Sequence, residues 1–292
     1  MSYYKILGFQ KEPFSTSPDP DFFYLSKEHE AALTNILIEL RLKRGLSVIL
    51  GDVGTGKTTL SRKLIQELKN REDCIFHMVL DPSFENPTSF LNSFSKNFGI
   101  APADFEKEPV LAELRESLER FLFQKAAVEN KTVILIVDEA QKLNDSSLEI
   151  LRVLLNYETN EFKLLQLVLL GQLELQEKIN GIANFFDRIS YKGKLAALGY
   201  DETKEMISFR ISQAGYRAGM DLFLEEALEA IYHYTGGYPR PVTMLCHRAL
   251  KELLLKNKLV VDAHIIEGLI AEDVKTGWQR RNQLLQKNSY LS

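Results

Sequence analysis

The sequence predicts an α/β core, a parallel sheet flanked by helices, followed by a small all-helical domain. Three observations carry that prediction. Short, almost wholly apolar runs alternate with helically spaced segments over the first two thirds of the chain. That alternation marks βαβ units, whose strands are covered on both faces and therefore read as continuous apolar runs. A glycine-rich turn at residues 51–58 joins the first apolar run to a helix. After about Gly199 the apolar runs stop and only helical spacing remains.

In chain order, residues 1–28 carry Pro13, Pro18 and Pro20 with little periodicity. They read as an irregular arm packed on the domain through Phe14, Phe22, Phe23 and Tyr24. From His29, the residues Leu33, Ile36, Leu37 and Leu40 recur at helical spacing, and Gly45 suits the end of that helix. A strand at 46–50, the glycine turn and a helix at 57–68 follow, then a second strand at 74–80. Two helical stretches come next, the second carrying Leu111, Leu114, Leu118, Phe121 and Leu122. Residues 133–137 and 164–170 read as the third and fourth strands, with a helix at 146–156 between them. Beyond Gly199, one helical face is formed by Leu224, Ala227, Leu228 and Ile231, and another by Val242, Leu245, Cys246, Ala249 and Leu253. A last one carries Ile265, Ile266 and Leu269. The domains are therefore expected at 1–28 (arm), 29–198 (nucleotide-binding core), 199–274 (helical lid) and 275–292 (polar tail).

The chain has 292 residues, 45% of them hydrophobic and 26% charged, with a net charge of -4. Such a chain can bury a sizeable core, which argues against disorder. The basic excess of a dedicated nucleic-acid binder is missing. Lysine and arginine do gather at 41–44, 192–194 and 280–281, and these read as solvated faces, so DNA is not favoured as a partner. The N-terminus lacks the basic and apolar regions of a secretory leader. The longest apolar run, 133–137, is far short of a membrane span. A cytoplasmic protein is expected, with Cys74 and Cys246 as reduced thiols. The five histidines show no metal-ligand spacing.

The chemistry is concentrated in two motifs. Gly51, Asp52, Val53, Gly54, Thr55, Gly56, Lys57 and Thr58 fit G-x-x-x-x-G-K-[ST] in full. Glycines let the backbone wrap closely around phosphate oxygens, and the helix that follows points free N–H groups and its positive dipole end at the same anion. Lys57 is expected on the β- and γ-phosphates and the Thr58 hydroxyl on magnesium. The second motif is the strand 133–137 running into Asp138 and Glu139. In an open parallel sheet, ligands bind beyond the carboxyl ends of the strands. Asp138 is therefore expected as the magnesium partner and Glu139 as the general base that takes a proton from the attacking water. ATP and Mg2+ are the implied ligands.

At this point the sequence resembles a known family. Asp138-Glu139-Ala140-Gln141 is similar to the AAA+ pattern. The opening, from Phe9-Gln10-Lys11-Glu12-Pro13-Phe14 through Pro18-Asp19-Pro20 to Tyr24-Leu25-Ser26, looks like that of ExeA (GspA-type) secretion ATPases. So do the phosphate loop with Thr58-Thr59, Leu151-Arg152 through Asn156-Tyr157-Glu158-Thr159, and Leu169-Leu170-Gly171-Gln172. The resemblance covers about residues 3–255 and implies an AAA+ core with a helical lid.

The resemblance also implies roles. Thr59 joins the nucleotide-binding residues. Gln172 takes the sensor-1 position, touching the γ-phosphate or the lytic water. Arg188 resembles the arginine that reaches a neighbouring subunit's ATP, and Arg240, in Gly236-Gly237-Tyr238-Pro239-Arg240, resembles the lid arginine called sensor 2. Two departures stand out. Leu173 replaces a proline common in relatives, and Tyr191 and Lys192 stand where relatives often carry a second arginine. GspA-type proteins continue into a membrane span and a periplasmic peptidoglycan-binding part, neither of which is in this sequence, so a stand-alone motor or switch is expected. The implied partners are further copies of the chain, with ATP at subunit interfaces, and a protein client in a secretion, pilus or envelope machine. That client would place the chain in the cytoplasm, peripheral at the inner membrane through its partners. The alternative is a MuB/TnsC-type transposition regulator that assembles on DNA.

Overall fold

The computed structural model describes residues 2–100, 110–216 and 221–277. The expected tail beyond residue 277, with its basic pair at 280–281, lies outside the described residues. The chain divides into two compact units: Lys27–Ala196, and the first 26 residues together with those from Ala197 onward.

The unit Lys27–Ala196 is built on five parallel strands: β1 (Leu46–Gly51), β2 (Cys74–Val79), β3 (Thr132–Val137), β4 (Leu165–Gly171) and β5 (Ile189–Leu195). Their order across the sheet is β2-β3-β4-β1-β5. All neighbouring strands pair in parallel, so every strand ends at the same end of the sheet. Register makes this concrete: Leu169 of β4 stands beside Val137 of β3 on one side and Val48 of β1 on the other. All residues of β3 and β4 are buried, as expected for central strands.

The fifth strand was not among the four expected. Its sequence, ISYKGKL, alternates half-buried and exposed positions up to Leu195 and pairs only with β1. An edge strand lacks the apolar run that reveals a central one, and exposed lysines on such an edge discourage pairing with other chains. The lysines at 192 and 194 are exposed, on a strand rather than a loop.

Around the sheet lie α2 (Lys27–Arg41), α3 (Lys57–Leu68), α4 (Pro87–Asn97), α5 (Leu111–Leu122), α6 (Asp145–Leu154) and α7 (Glu174–Asn180), the numbering leaving α1 for a single turn at Tyr3–Ile6. Asn86 and Asn144 cap α4 and α6 by accepting from the backbone N–H of Ser89 and Ser147 at 2.8 Å each. Leu135, Leu167 and Leu169 pack with Phe90, Phe94, Leu118 and Leu151 in one apolar core. Burying each such side chain contributes about 1.5–3 kcal/mol, which makes the sheet a rigid base for the loops at its carboxyl end.

The other unit contains α1, α8 (Tyr200–Gln213), α9 (Glu225–Thr235), α10 (Pro239–Leu255) and α11 (Ala263–Thr276). The first 26 residues group with these helices: Phe9, Phe14 and Phe22 share an apolar core with Met206, Ile231 and Leu245. Arg210 of α8 holds them there, its guanidinium donating to the carbonyls of Pro13 (2.9 Å), Ser15 (2.8 Å) and Phe22 (3.2 Å). Among the described residues no helix is long and apolar enough to cross a membrane.

Candidate functional site

The site begins where β1 ends. Between Gly51 and α3 the chain turns through Gly54 (φ +89°) and Gly56 (φ +99°), both left-handed. L-residues with a Cβ pay for that conformation and glycine does not. Lys57, the first residue of α3, is only 5% exposed. Its Nζ donates to the carbonyls of Gly51 (2.7 Å) and Asp52 (2.9 Å), so its charge lies within the loop. Burial pushes the Lys57 pKa down, and the carboxylates of Glu139, Asp138, Asp52 and Glu174 oppose that shift. A cation this desolvated gains most from a further anion.

At the end of β3, Asp138 is 1% exposed. Its carboxylate accepts from the Thr58 hydroxyl and from the N–H of Glu139. Burial pushes its pKa up despite those two donors. A buried carboxylate linked to a hydroxyl, facing a phosphate loop, presents two oxygens of the kind magnesium takes. The ion needs few protein ligands, because phosphate and water oxygens complete its shell. Thr58 and Asp138 offer a hydroxyl and a carboxylate whose chemistry fits such an ion.

Glu139 adopts φ +52°, ψ +35°, a left-handed conformation that costs a non-glycine residue on the order of 1–3 kcal/mol. It turns the chain from β3 into the short 3-10 turn Ala140–Lys142. Gln172 follows the last residue of β4. Because β4 lies between β3 and β1, Gln172 falls between the carboxylate pair and the phosphate loop.

The sheet thus brings together Lys57, Thr58, Asp138, Glu139 and Gln172. It does not bring Arg188 to them. Arg188 precedes Ile189, which pairs with Leu46, the first residue of β1. It therefore stands at the amino end of the sheet, about 16 Å along the strand direction from Gly51 at ~3.3 Å per residue. Arg240 is exposed in the first turn of α10, in the other unit.

Three contributors have contacts to which the sequence assigned no role. His29 of α2, 2% exposed, donates from Nε2 to the Thr55 carbonyl at 2.8 Å and so braces the phosphate loop. Glu28 accepts the Ala196 N–H at 2.7 Å, where the chain leaves this unit. Gln141 bonds Glu139. His29 and Glu28 carry no local pattern, whereas Gln141 stands in the Asp138-Glu139-Ala140-Gln141 pattern, two residues after Glu139.

The comparisons with known proteins agree with this geometry. A family model described as AAA domain matches residues 40–179. General secretion pathway protein A of Aeromonas hydrophila is 34% identical over 250 residues, which is 85% of this chain and 44% of that protein. The chain thus spans less than half the length of that relative. Among solved structures, the ORC2 protein of Aeropyrum pernix in its ADPNP-ADP complexes superposes with a TM-score of 0.61 at 19% identity, covering 86% of this chain and 71% of that one. Cdc6p of Pyrobaculum aerophilum gives 0.64 at 19% identity, covering 85% and 67%. The RuvB branch migration motor of Thermotoga maritima gives 0.55 at 15%, covering 84% and 68%. At those identities the structural likeness speaks for the fold. The sheet order, the phosphate loop and the sequence match together give this chain a P-loop AAA+ fold, with an AAA domain match at residues 40–179 and similarity to general secretion pathway protein A over 85% of its length.

Proposed function

We propose that this chain is an ATPase: it binds ATP with Mg2+ at the carboxyl end of the sheet and hydrolyses it. The observation that carries the reading is the Thr58–Asp138 link beside buried Lys57, one oxygen pair and one cation under a complete phosphate loop. A magnesium ion held by Thr58 and Asp138 would supply charge neutralisation on the phosphates. The rest is done by this chain's residues. The loop residues Gly51 to Thr59 hold the phosphates, Lys57 transfers its contacts from its own carbonyls to the β- and γ-phosphates, and Gln172 orients the terminal phosphate or the water. Glu139 takes the proton as water attacks the γ-phosphorus. The bond to the bridging oxygen breaks, ADP leaves with phosphate, and the proton returns to solvent.

The reading extends to assembly. Arg188 at the amino end of the sheet cannot reach its own loop, which supports a role on the ATP of a second copy in a homo-oligomer. Arg240 is proposed as the lid arginine that reads the γ-phosphate in cis. The likeness to general secretion pathway protein A supports a protein client in a secretion or envelope system, reached from the cytoplasm, with nucleotide state controlling assembly or remodelling of that client. A DNA-dependent regulator is the competing biology. Gel filtration and ATPase assays with and without duplex DNA separate the two. ATP-dependent assembly and turnover indifferent to DNA support the first reading. Assembly and turnover that need DNA favour the second.

A further inference from the structure

The geometry points to Gln141 as the residue that positions the Glu139 carboxylate and ties it to the backbone at Gln172. The inference rests on the proposed role of Glu139 as base and adds a residue that no motif assigned. Gln141 Nε2 donates to Glu139 Oε2 at 2.8 Å, and Gln141 Oε1 accepts the Gln172 N–H at 3.1 Å. A carboxylate only accepts and a backbone N–H only donates, so the amide fits one way round. Its backbone is held too, since Lys178 of α7 donates to the carbonyls of Gln141 (2.6 Å) and Leu143 (2.8 Å). A slot exists for the amide because β4 ends in glycine. A Cβ at Gly171 would meet Leu175 Cδ2 at 2.7 Å and Gln141 Oε1 at 3.2 Å.

Two consequences follow. Oε2 of Glu139 is committed to Gln141, while Oε1 has no hydrogen bond among the described residues. Oε1 is thus the oxygen left to take the water's proton, in a carboxylate whose plane is set. The chain Glu139–Gln141–Gln172 also spans the ends of adjacent strands β3 and β4. A shift of the Gln172 backbone, the segment proposed to meet the terminal phosphate, therefore moves the base. Gln141 is a positioning residue, acting through Glu139.

Steady-state ATPase kinetics on the full chain test this. Gln141→Met keeps the volume and removes both hydrogen bonds. It lowers kcat about 100-fold, the scale of a misplaced reacting group, while KM for ATP and melting temperature hold. Gln141→His, which retains a ring N–H donor, recovers part of the loss. In a Glu139→Gln background, Gln141→Met changes nothing further, because both act on one step. Parental kcat in Gln141→Met, or a full additional loss in the Glu139→Gln background, overturns the inference. Lys57→Ala is the control for the underlying reading. If it is inactive while Gln141→Met runs at the parental rate, only the positioning role falls. If Lys57→Ala turns over ATP like the parent, the phosphate-loop reading falls and takes the positioning role with it.

Discussion

The two ends of the same sheet are built differently. At the carboxyl end, the polar groups are bonded to one another: Lys57 to its loop carbonyls, Thr58 to Asp138, Gln141 to Glu139 and to the Gln172 backbone, His29 to Thr55. At the amino end, Arg152 grips Glu149 through two hydrogen bonds of 2.8 and 2.6 Å, while the Nε atoms of Arg188 and Arg115 are buried with no partner. The first arrangement is preorganised for an anion and a small cation. The second buries arginine Nε atoms without a hydrogen bond, although the Arg188 charge acts on the carboxylates of Glu149 and Glu158. The difference teaches that one sheet can carry a densely bonded polar cluster at one end and a partly bonded arginine group at the other.

The sharpest way to break the carboxyl-end account is Glu139→Gln. Its amide cannot take the water's proton, so turnover falls about 10³-fold, within the usual range for a general base, while ATP still binds. Parental turnover, measured by phosphate release, places the base elsewhere.

Arg188→Ala tests the amino end. A trans-acting arginine is worth about 10³-fold in rate, so activity that rises with protein concentration in the parent should vanish in this variant. Mixing Arg188→Ala with Lys57→Ala restores part of it, since an intact loop can then face an intact arginine. Specific activity flat across concentration, with Arg188→Ala as active as the parent, removes the shared site.

Asp138 separates binding from stability. Burial raises its folded pKa above the unfolded value. The folded state therefore holds that proton more tightly, and the stability this group contributes is lost as pH rises through that interval. Asp138→Asn should thus raise the melting temperature at neutral pH, because it removes the charge that burial disfavours. The same variant weakens magnesium-dependent ATP binding. In the parent, proton and ion compete for one carboxylate, so magnesium-dependent affinity falls as pH is lowered. A melting temperature that drops in Asp138→Asn contradicts the assignment of burial as the dominant influence.

The smallest effect is expected from His29→Ala. It removes one brace on the phosphate loop, about 1 kcal/mol for a typical hydrogen bond, and weakens ATP binding several-fold in a titration. Unchanged affinity means the loop holds its shape without α2.

Legibility in the sequence followed the range of the interactions. The loop, α3 and the strands β1, β3 and β4 are local patterns, in which apolar runs and glycines at fixed spacing are enough. Asp138 and Glu139 were readable because they end such a run. β5 was not, since an edge strand with lysines at 192 and 194 has no apolar run to detect. α8 escaped because Glu202, Lys204 and Glu205 dilute its apolar face. The grouping of the first 26 residues with the C-terminal helices depends on Arg210 reaching carbonyls nearly two hundred positions away, and no local periodicity encodes that. The contacts of His29 and Gln141 are made across elements in the same way.

The proposed nucleotide site at the carboxyl end of β1 depends on Lys57 as its cation. Calorimetric titration of ATP with magnesium into the parent and into Lys57→Ala tests it most directly. Losing a buried charge-assisted contact of about 1.5–3 kcal/mol weakens binding by one to two orders of magnitude, so the account predicts clear binding to the parent and little or none to the variant. Equal affinity in the two proteins would contradict it.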